Sequence, residues 1–440
     1  MATPHGLGKG IRARTRKPAR SKRDKETRRL PLTVGHSYAD RVFNPVHSSQ
    51  TPLSTPPNRQ PPRRRILFTK LGSFSHTNEK LNEQLARRFP DHDIEIFDVK
   101  EYVKRRLGPA ALNVLIEVMT YGPSVLKSRS QLHAFFFMTP FMFRLLSAAI
   151  ARTFASTAGE FDFSIQTQGV FNGRIPGVPH LIYTDYTFMD TMNEPVPDRR
   201  LFRSPMYLKY ETALFRQAEG IAATSGFVER TLVDRYGCDR SRVRTVHIGA
   251  NIDIVPSETT MARYAAAHVL FVGVEWERKG GPALLEAFIE VARTYPDARL
   301  TIVGCYPNVS HPKIAVAGKE PRDRVAHYFQ SASVFCMPSV VEPLGIAAIE
   351  ASLFRLPVIA TRVPGFFETV TDGQTGILVP PNDPTALAAA MRLLFENPAL
   401  AQRMGVAGFE RNRTRFDWNR VGRQLHQMAC AIVPGLAAAA

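Results

Sequence analysis

From Arg64 onward, short apolar runs alternate with stretches whose apolar residues recur at helical spacing. Arg64-Arg-Ile-Leu-Phe-Thr reads as a first strand, Asn78 to Phe89 as an amphipathic helix and Asp93 to Val99 as a second strand. The pattern predicts helix with breaks from Val103 to Ala158, then strands at Phe161 to Thr167 and Pro179 to Thr184. A helix near Pro205 to Ala218, a strand from Gly220, a helix from Gly226 to Tyr236 and a strand from Arg244 to Ile248 follow. After the polar stretch Asp253 to Thr260, read as a linker, a second alternating set begins at Val269. It continues through Arg299 to Gly304, Lys313 to Gly318, Ser333 to Met337 and Pro357 to Thr361, and on to a helix at Pro384 to Asn397. Trp418 to Val433 has the spacing of a last amphipathic helix. Strand and helix in alternation predict an α/β chain of parallel sheets with helical crossovers.

At 440 residues and 44% hydrophobic the chain can bury two cores, because single cores rarely grow beyond about 250 to 300 residues. The formal net charge of +18 changes meaning once it is divided along the chain. Residues 1 to 65 hold 16 Lys and Arg against 3 Asp and Glu, leaving a net +5 for everything after them. Nucleic acid is therefore not the expected partner of the folded part. The basic tail also holds nine of the 33 prolines and no hydrophobic periodicity, so it is expected to be disordered. Ile11 to Arg29 would suit peripheral contact with an anionic membrane or RNA. The alternatives are a solvated arm and a start codon read too early. No apolar segment of signal-peptide type follows the positive run.

Cys238, Cys305, Cys336 and Cys430 show no metal-ligand spacing and read as free thiols in a reducing compartment, which points to the cytoplasm. No HExxH, GxxxxGK[ST] or GxGxxG occurs, so zinc proteolysis, P-loop chemistry and dinucleotide binding lack their motifs. No metal and no cofactor are expected. Ala134 to Phe143 is the most membrane-like segment. Its ten residues, Thr139 among them, fall short of the roughly 20 apolar ones that span a bilayer, so a core helix is expected, against a membrane-facing or acceptor-facing patch.

The richest chemistry lies between Ser339 and Pro380. Glu342 and Glu350 stand eight positions apart around Glu-Pro-Leu-Gly, just after the Ser333 to Met337 strand. Pro343 sets a turn, and Gly345 lets a helix start with its first amides uncovered. Amides at Leu344, Gly345 and Ile346 would hold a diphosphate on the positive end of the helix. Glu342 and Glu350 would then take hydroxyls on either side of it, as a nucleoside diphosphate sugar requires.

Glu-Pro-Leu-Gly-x(4)-Glu after a short apolar strand resembles the retaining sugar transferases of glycosyltransferase family 4. The resemblance continues in order through Pro357-Val-Ile-Ala-Thr, Glu368-Thr-Val, Asp372-Gly-Gln-Thr-Gly-Ile-Leu-Val and Pro381-Asn-Asp. Upstream it takes in Val269-Leu-Phe-Val-Gly-Val-Glu-Trp-Glu-Arg-Lys-Gly-Gly and Leu284-Leu-Glu-Ala-Phe. It implies a GT-B fold: two Rossmann-like domains facing across a cleft, preceded by the disordered tail. The expected divisions are a tail at 1–63, an acceptor domain at 64–252, a donor domain at 253–415 and a crossing-back helix at 416–440.

The same resemblance implies a metal-independent hexosyl transfer with retention, from a nucleoside diphosphate sugar to a carbohydrate or lipid-linked acceptor. Arg278 and Lys279 would stabilise the departing diphosphate, with Glu342 on the sugar and Glu350 on the ribose. The basic residue that commonly follows the glycine of the first donor strand is replaced here by Val274. Where relatives often carry a histidine after the Pro179 to Thr184 strand, this chain has Asp185. That carboxylate would orient the sugar or accept the acceptor's proton, whereas His180 is expected to be structural. Gly72 would allow phosphates to approach the first loop closely. Two other readings stay open: a different GT-B nucleotide-sugar enzyme such as an epimerase or phosphorylase, or a degenerate GT-B module that binds membrane or nucleic acid through its tail.

Overall fold

The computed structural model of the chain describes residues 64–127, 132, 135–192, 199–253 and 260–436. The expectations for residues 1–63 lie outside these, as do most of the expected linker and the first residue of the Ala134 segment. Two parallel six-stranded sheets carry the fold. The first contains β1 (Arg64–Lys70), β2 (His92–Asp98), β3 (Phe161–Thr167), β4 (His180–Thr184), β5 (Gly220–Ala223) and β6 (Val243–Thr245), in the order β2-β1-β3-β4-β5-β6. The second contains β7 (His268–Val272), β8 (Arg299–Val303), β9 (Ile314–Gly318), β10 (Val334–Met337), β11 (Val358–Thr361) and β12 (Gly376–Val379), in the order β12-β11-β10-β7-β8-β9. Inner strands such as β4 and β10 are buried along their whole length, which explains why they read as continuous apolar runs rather than alternations.

Strand order reverses between β1 and β3 in one sheet and between β7 and β10 in the other. Open parallel sheets leave a crevice at such points, outside the carboxyl ends of the strands. Most expected elements stand within a residue or two of their sequence positions. β6 is shorter than expected, and the expected helix from Gly226 to Tyr236 is α-helical only to Arg230, with one π turn at Thr231–Arg235. A helix at Pro398–Asn412 and the strand β12 went unread in the sequence.

The last helix, Trp418–Ile432, buries Trp418, Val421, Leu425 and Met428 in the same cluster as Ile66, Phe68, Leu81 and Leu85 of the first sheet and its first helix. Chain from beyond the second sheet therefore completes the core of the first. Phe135, Phe137, Met142 and Phe143 are core residues as expected, but Pro140 opens the helix Pro140–Thr153 instead of interrupting one, with Thr139 Oγ1 accepting from the Met142 amide at 3.1 Å. His180 is fully buried between Ser164 Oγ (2.8 Å) and Gln166 Oε1 (3.0 Å). Burial drives its pKa down to about 3, as suits a neutral structural imidazole.

Candidate functional site

The crevice holds a cavity of about 690 Å³. Its lining comes from the segments that follow β1, β4, β6, β7, β8, β9 and β10, so both sheets contribute through their carboxyl ends. Glu342, Lys279, Arg278, Asp185, Glu350, Leu344, Gly345 and Ile346 all line it. Gly72 does not: its amide donates to Asp98 Oδ1 at 3.1 Å, while the next four residues, Ser73 to His76, form that wall.

Local backbone explains how Lys279 meets Glu342 from 63 positions away. Gly280 takes φ +75°, and a Cβ there would lie 1.9 Å from the Pro338 carbonyl oxygen. Only glycine lets the Arg278-Lys279 loop settle against the end of β10. The Val340 amide then donates to the Arg278 carbonyl at 2.9 Å, which holds the loop and the Glu342 turn together. Gly345, at φ +69°, ends that turn and precedes the helix Ile346–Leu353.

The Lys279 ammonium donates to Glu342 Oε2, which also accepts from Ser339 Oγ at 2.9 Å. Arg278 Nη1 stands 4.0 Å from the same oxygen and donates to the Val341 carbonyl at 2.9 Å. Glu342 is only 4% exposed. Burial alone would raise its pKa, but the Lys279 and Arg278 charges hold the carboxylate below its usual range. Its other oxygen accepts from the Gly345 amide at 3.1 Å. Of the three amides expected at the helix start, Gly345's is thus already engaged by Glu342, while Leu344 and Ile346 line the cavity beside Ala347.

Glu350 behaves differently. It is 6% exposed, and its Oε1 accepts from the backbone amide of Asn251 at 3.0 Å. Burial pushes its pKa up to about 7, against the opposing pull of the Asn251 and Ile252 amides. Asp185 sits half-buried just past the end of β4. Burial first, then the Glu342 and Asp190 charges, push it up to about 7. Val274 is 67% exposed on the cavity rim, so no cation stands at that place.

Asn251 and Ser339 were not picked out in the sequence. Asn251 donates its amide to Glu350 and its Nδ2 to the Ser75 carbonyl at 2.7 Å, and accepts from Trp418 Nε1 at 3.2 Å. One residue thereby ties the Glu350 helix, the loop after β1 and the last helix together. Three consecutive non-glycine residues of that loop, Phe74, Ser75 and His76, have φ between 48° and 67°, a sparsely populated region for such side chains. Among the described residues no cluster of His, Cys, Asp or Glu could hold a metal ion.

Comparison with known proteins fits this geometry. Residues 266–397 match the family described as Glycosyl transferases group 1. The chain is 27% identical to a glycogen synthase of Mycobacterium tuberculosis over 51% of its own length, and spans 57% of that protein. It is 28% identical to D-inositol 3-phosphate glycosyltransferase 2 of Catenulispora acidiphila over 76% of its length and 85% of that protein's. Among solved structures, sucrose-phosphate synthase from Thermosynechococcus elongatus superposes with TM-score 0.62 at 21% identity, covering 86% of this chain and 100% of the other. Anabaena HepE, solved in complex with UDP-glucose, superposes at 0.58 with 15% identity, covering 83% and 99%. The two sheets around the cleft give the chain the GT-B fold, and the match to glycosyl transferases group 1 lies in its second sheet.

Proposed function

We propose that the cleft binds a nucleoside diphosphate sugar and transfers its hexose to an acceptor hydroxyl. The observation that carries this is the Lys279, Arg278 and Glu342 cluster, set against the amides that open the Ile346–Leu353 helix. Fixed cations and amide dipoles stabilise the charge that develops on a departing diphosphate without reorganising. Glu342 holds Lys279 in place and reaches the sugar's hydroxyls, and Glu350 takes the ribose once its bond to the Asn251 amide gives way. Asp185 orients the sugar or receives the acceptor's proton, a role suited to a carboxyl whose pKa is raised to about 7.

The finer features of this reading are membership of family 4, retention of configuration with the leaving phosphate helping to take the acceptor proton, and independence of metal. Retention rests on family resemblance alone. The acceptor is a carbohydrate or a lipid-linked one. Related proteins are named for glycogen, inositol phosphate and, in Mycobacterium leprae at 32% identity over 47% of this chain, phosphatidyl-myo-inositol. A reducing, cytoplasmic setting is supported by four unpaired cysteines, three of them buried. Among the described residues no helix is long and apolar enough to cross a membrane.

The test is release of nucleoside diphosphate from a set of nucleotide sugars, with and without chelator, and NMR of the product's anomeric centre. Turnover of one donor that survives chelation, with an axial donor bond giving an axial product, is the expected result. Turnover lost to chelator and restored by magnesium would refute metal independence, and an inverted product would refute retention.

A further inference from the structure

The helix Leu107–Tyr121 is packed inside out. Its fully buried residues are Asn113, Glu117 and Tyr121, and its outward face is apolar. Leu107 is 79% exposed, Leu112 47%, Leu115 56% and Met119 76%, and Leu126 continues the line at 55%. Positions 112, 115 and 119 recur at helical spacing and so share one stripe. A surface helix in contact with water alone carries the opposite arrangement, and contiguous exposed apolar patches mark contact surfaces.

Charge identifies what this face meets. Lys104, Arg105 and Arg106 are exposed at its amino-terminal end and Lys127 is exposed just past its carboxyl end. The one acidic residue between 104 and 127 is Glu117, which is buried. Fifteen residues make a rod about 22 Å long, too short to span a bilayer but long enough to lie in its interface. A second copy docked on this face would set cation against cation at both ends, because the stripe carries positive charge at each. RNA would match the cations and leave the leucines uncovered.

We propose that this face, Leu107 to Leu126, lies on an anionic lipid surface. The leucines and Met119 enter the headgroup boundary and Arg105, Arg106 and Lys127 pair with lipid phosphates. This surface belongs to the folded part of the chain, and its attachment is distinct from any made by the basic tail.

Flotation of the full chain with phosphatidylcholine vesicles, with and without phosphatidylglycerol, tests it. The variant Leu112→Gln, Leu115→Gln, Met119→Gln keeps good helix formers at exposed positions, so its melting temperature should match the parent's. It should bind the anionic vesicles at least tenfold more weakly. The difference should persist near 1 M salt, where a Debye length of about 3 Å screens purely electrostatic attachment. Arg105→Gln with Arg106→Gln should cost about thirtyfold near 0.1 M salt, at about 1 kcal/mol per cation. Parental vesicle binding by the triple variant would overturn the proposal. So would a triple variant that falls from dimer to monomer with vesicle binding intact, since that assigns the face to a second copy. If the triple variant misfolds, parental vesicle binding by the arginine pair overturns it alone.

Discussion

The two walls of the cleft are built on opposite electrostatic plans. On the side of the second sheet, Glu342 is ionised because Lys279 and Arg278 outweigh its burial. On the side of the first sheet Asp185 lines the cavity, while Asp190 and Glu211 are buried outside its lining; burial outweighs the pull of Arg278 on Asp185 and of Arg235 on Asp190, and pushes the three up to about 7, 6 and 8. Glu211 accepts instead from the Phe188 amide at 3.1 Å and from the Tyr236 hydroxyl. The contrast teaches how one crevice divides its labour. A wall of fixed, paired charge suits phosphates that arrive and leave as anions, whereas a wall that presents one carboxyl near neutrality, Asp185, suits hydroxyls and their protons.

Breaking the charged wall should have the largest effect. Lys279→Ala removes the cation proposed to face the phosphates and strands Glu342 in the interior, so transfer should fall at least a hundredfold, about 2.7 to 4 kcal/mol. Folding stability should fall as well, by about 3 to 5 kcal/mol, because half of a buried ion pair is left unpaired. Lys279→Met combined with Glu342→Gln should regain much of that stability in denaturant titrations and none of the activity. If activity returned with stability, Lys279 would serve only to hold the fold.

Next in size is Glu350, which stands on the charged wall but has the raised pKa of the other. Glu350→Ala should weaken nucleotide-sugar binding by about ten- to a hundredfold, the worth of a hydrogen bond to a charged group at about 1.5 to 3 kcal/mol. Calorimetry would read this directly. Unchanged affinity would leave Glu350 as a strut for Asn251.

On the neutral wall, Asp185→Asn should remove the ionisation near pH 7 from the activity profile of the free enzyme. A profile of unchanged shape would place the acid and base elsewhere.

The smallest effect concerns stability. Raised carboxyl pKa values keep protons on the native state that the unfolded chain has already released, so stability falls as pH rises from about 4 through 7 to 8. His180, His247 and His268, which burial lowers to about 3, 4 and 4, act in the opposite sense. Their contribution is complete by about pH 7, above their unfolded pKa of about 6.5. Above about pH 7 the histidines no longer offset the carboxyls, so melting temperature should decline between about pH 7 and 8.5, and Glu211→Gln should flatten part of that decline.

The charged wall was far more legible in the sequence than the neutral one. Glu342, Lys279 and Glu350 lie in short motifs whose glycines and prolines fix the local backbone, so their convergence follows from a strand, a turn and a helix start. Asn251 gave no such signal, because its partners Ser75, Glu350, Trp418 and Arg322 are distant in sequence and joined only by tertiary packing. The same limit hid the inverted helix. Periodicity reveals that Leu107–Tyr121 is a helix, but the side facing inward is decided by Asn113 donating to the Phe136 carbonyl at 2.8 Å, a contact no local pattern encodes. Gly345 shows a subtler case: its place at the helix start was readable, while the capture of its amide by Glu342 was not.

The central claim, a diphosphate held between Lys279, Arg278 and the helix that opens at Ile346, is tested most directly by calorimetric titration. The chain is titrated with a nucleoside diphosphate, the matching monophosphate and the matching nucleotide sugar, beside the Lys279→Met, Glu342→Gln variant. The account predicts one site that takes the diphosphate and the nucleotide sugar competitively, with the monophosphate at least tenfold weaker and the variant losing that discrimination. Equal affinity for mono- and diphosphate, or a variant that discriminates as the parent does, would contradict it.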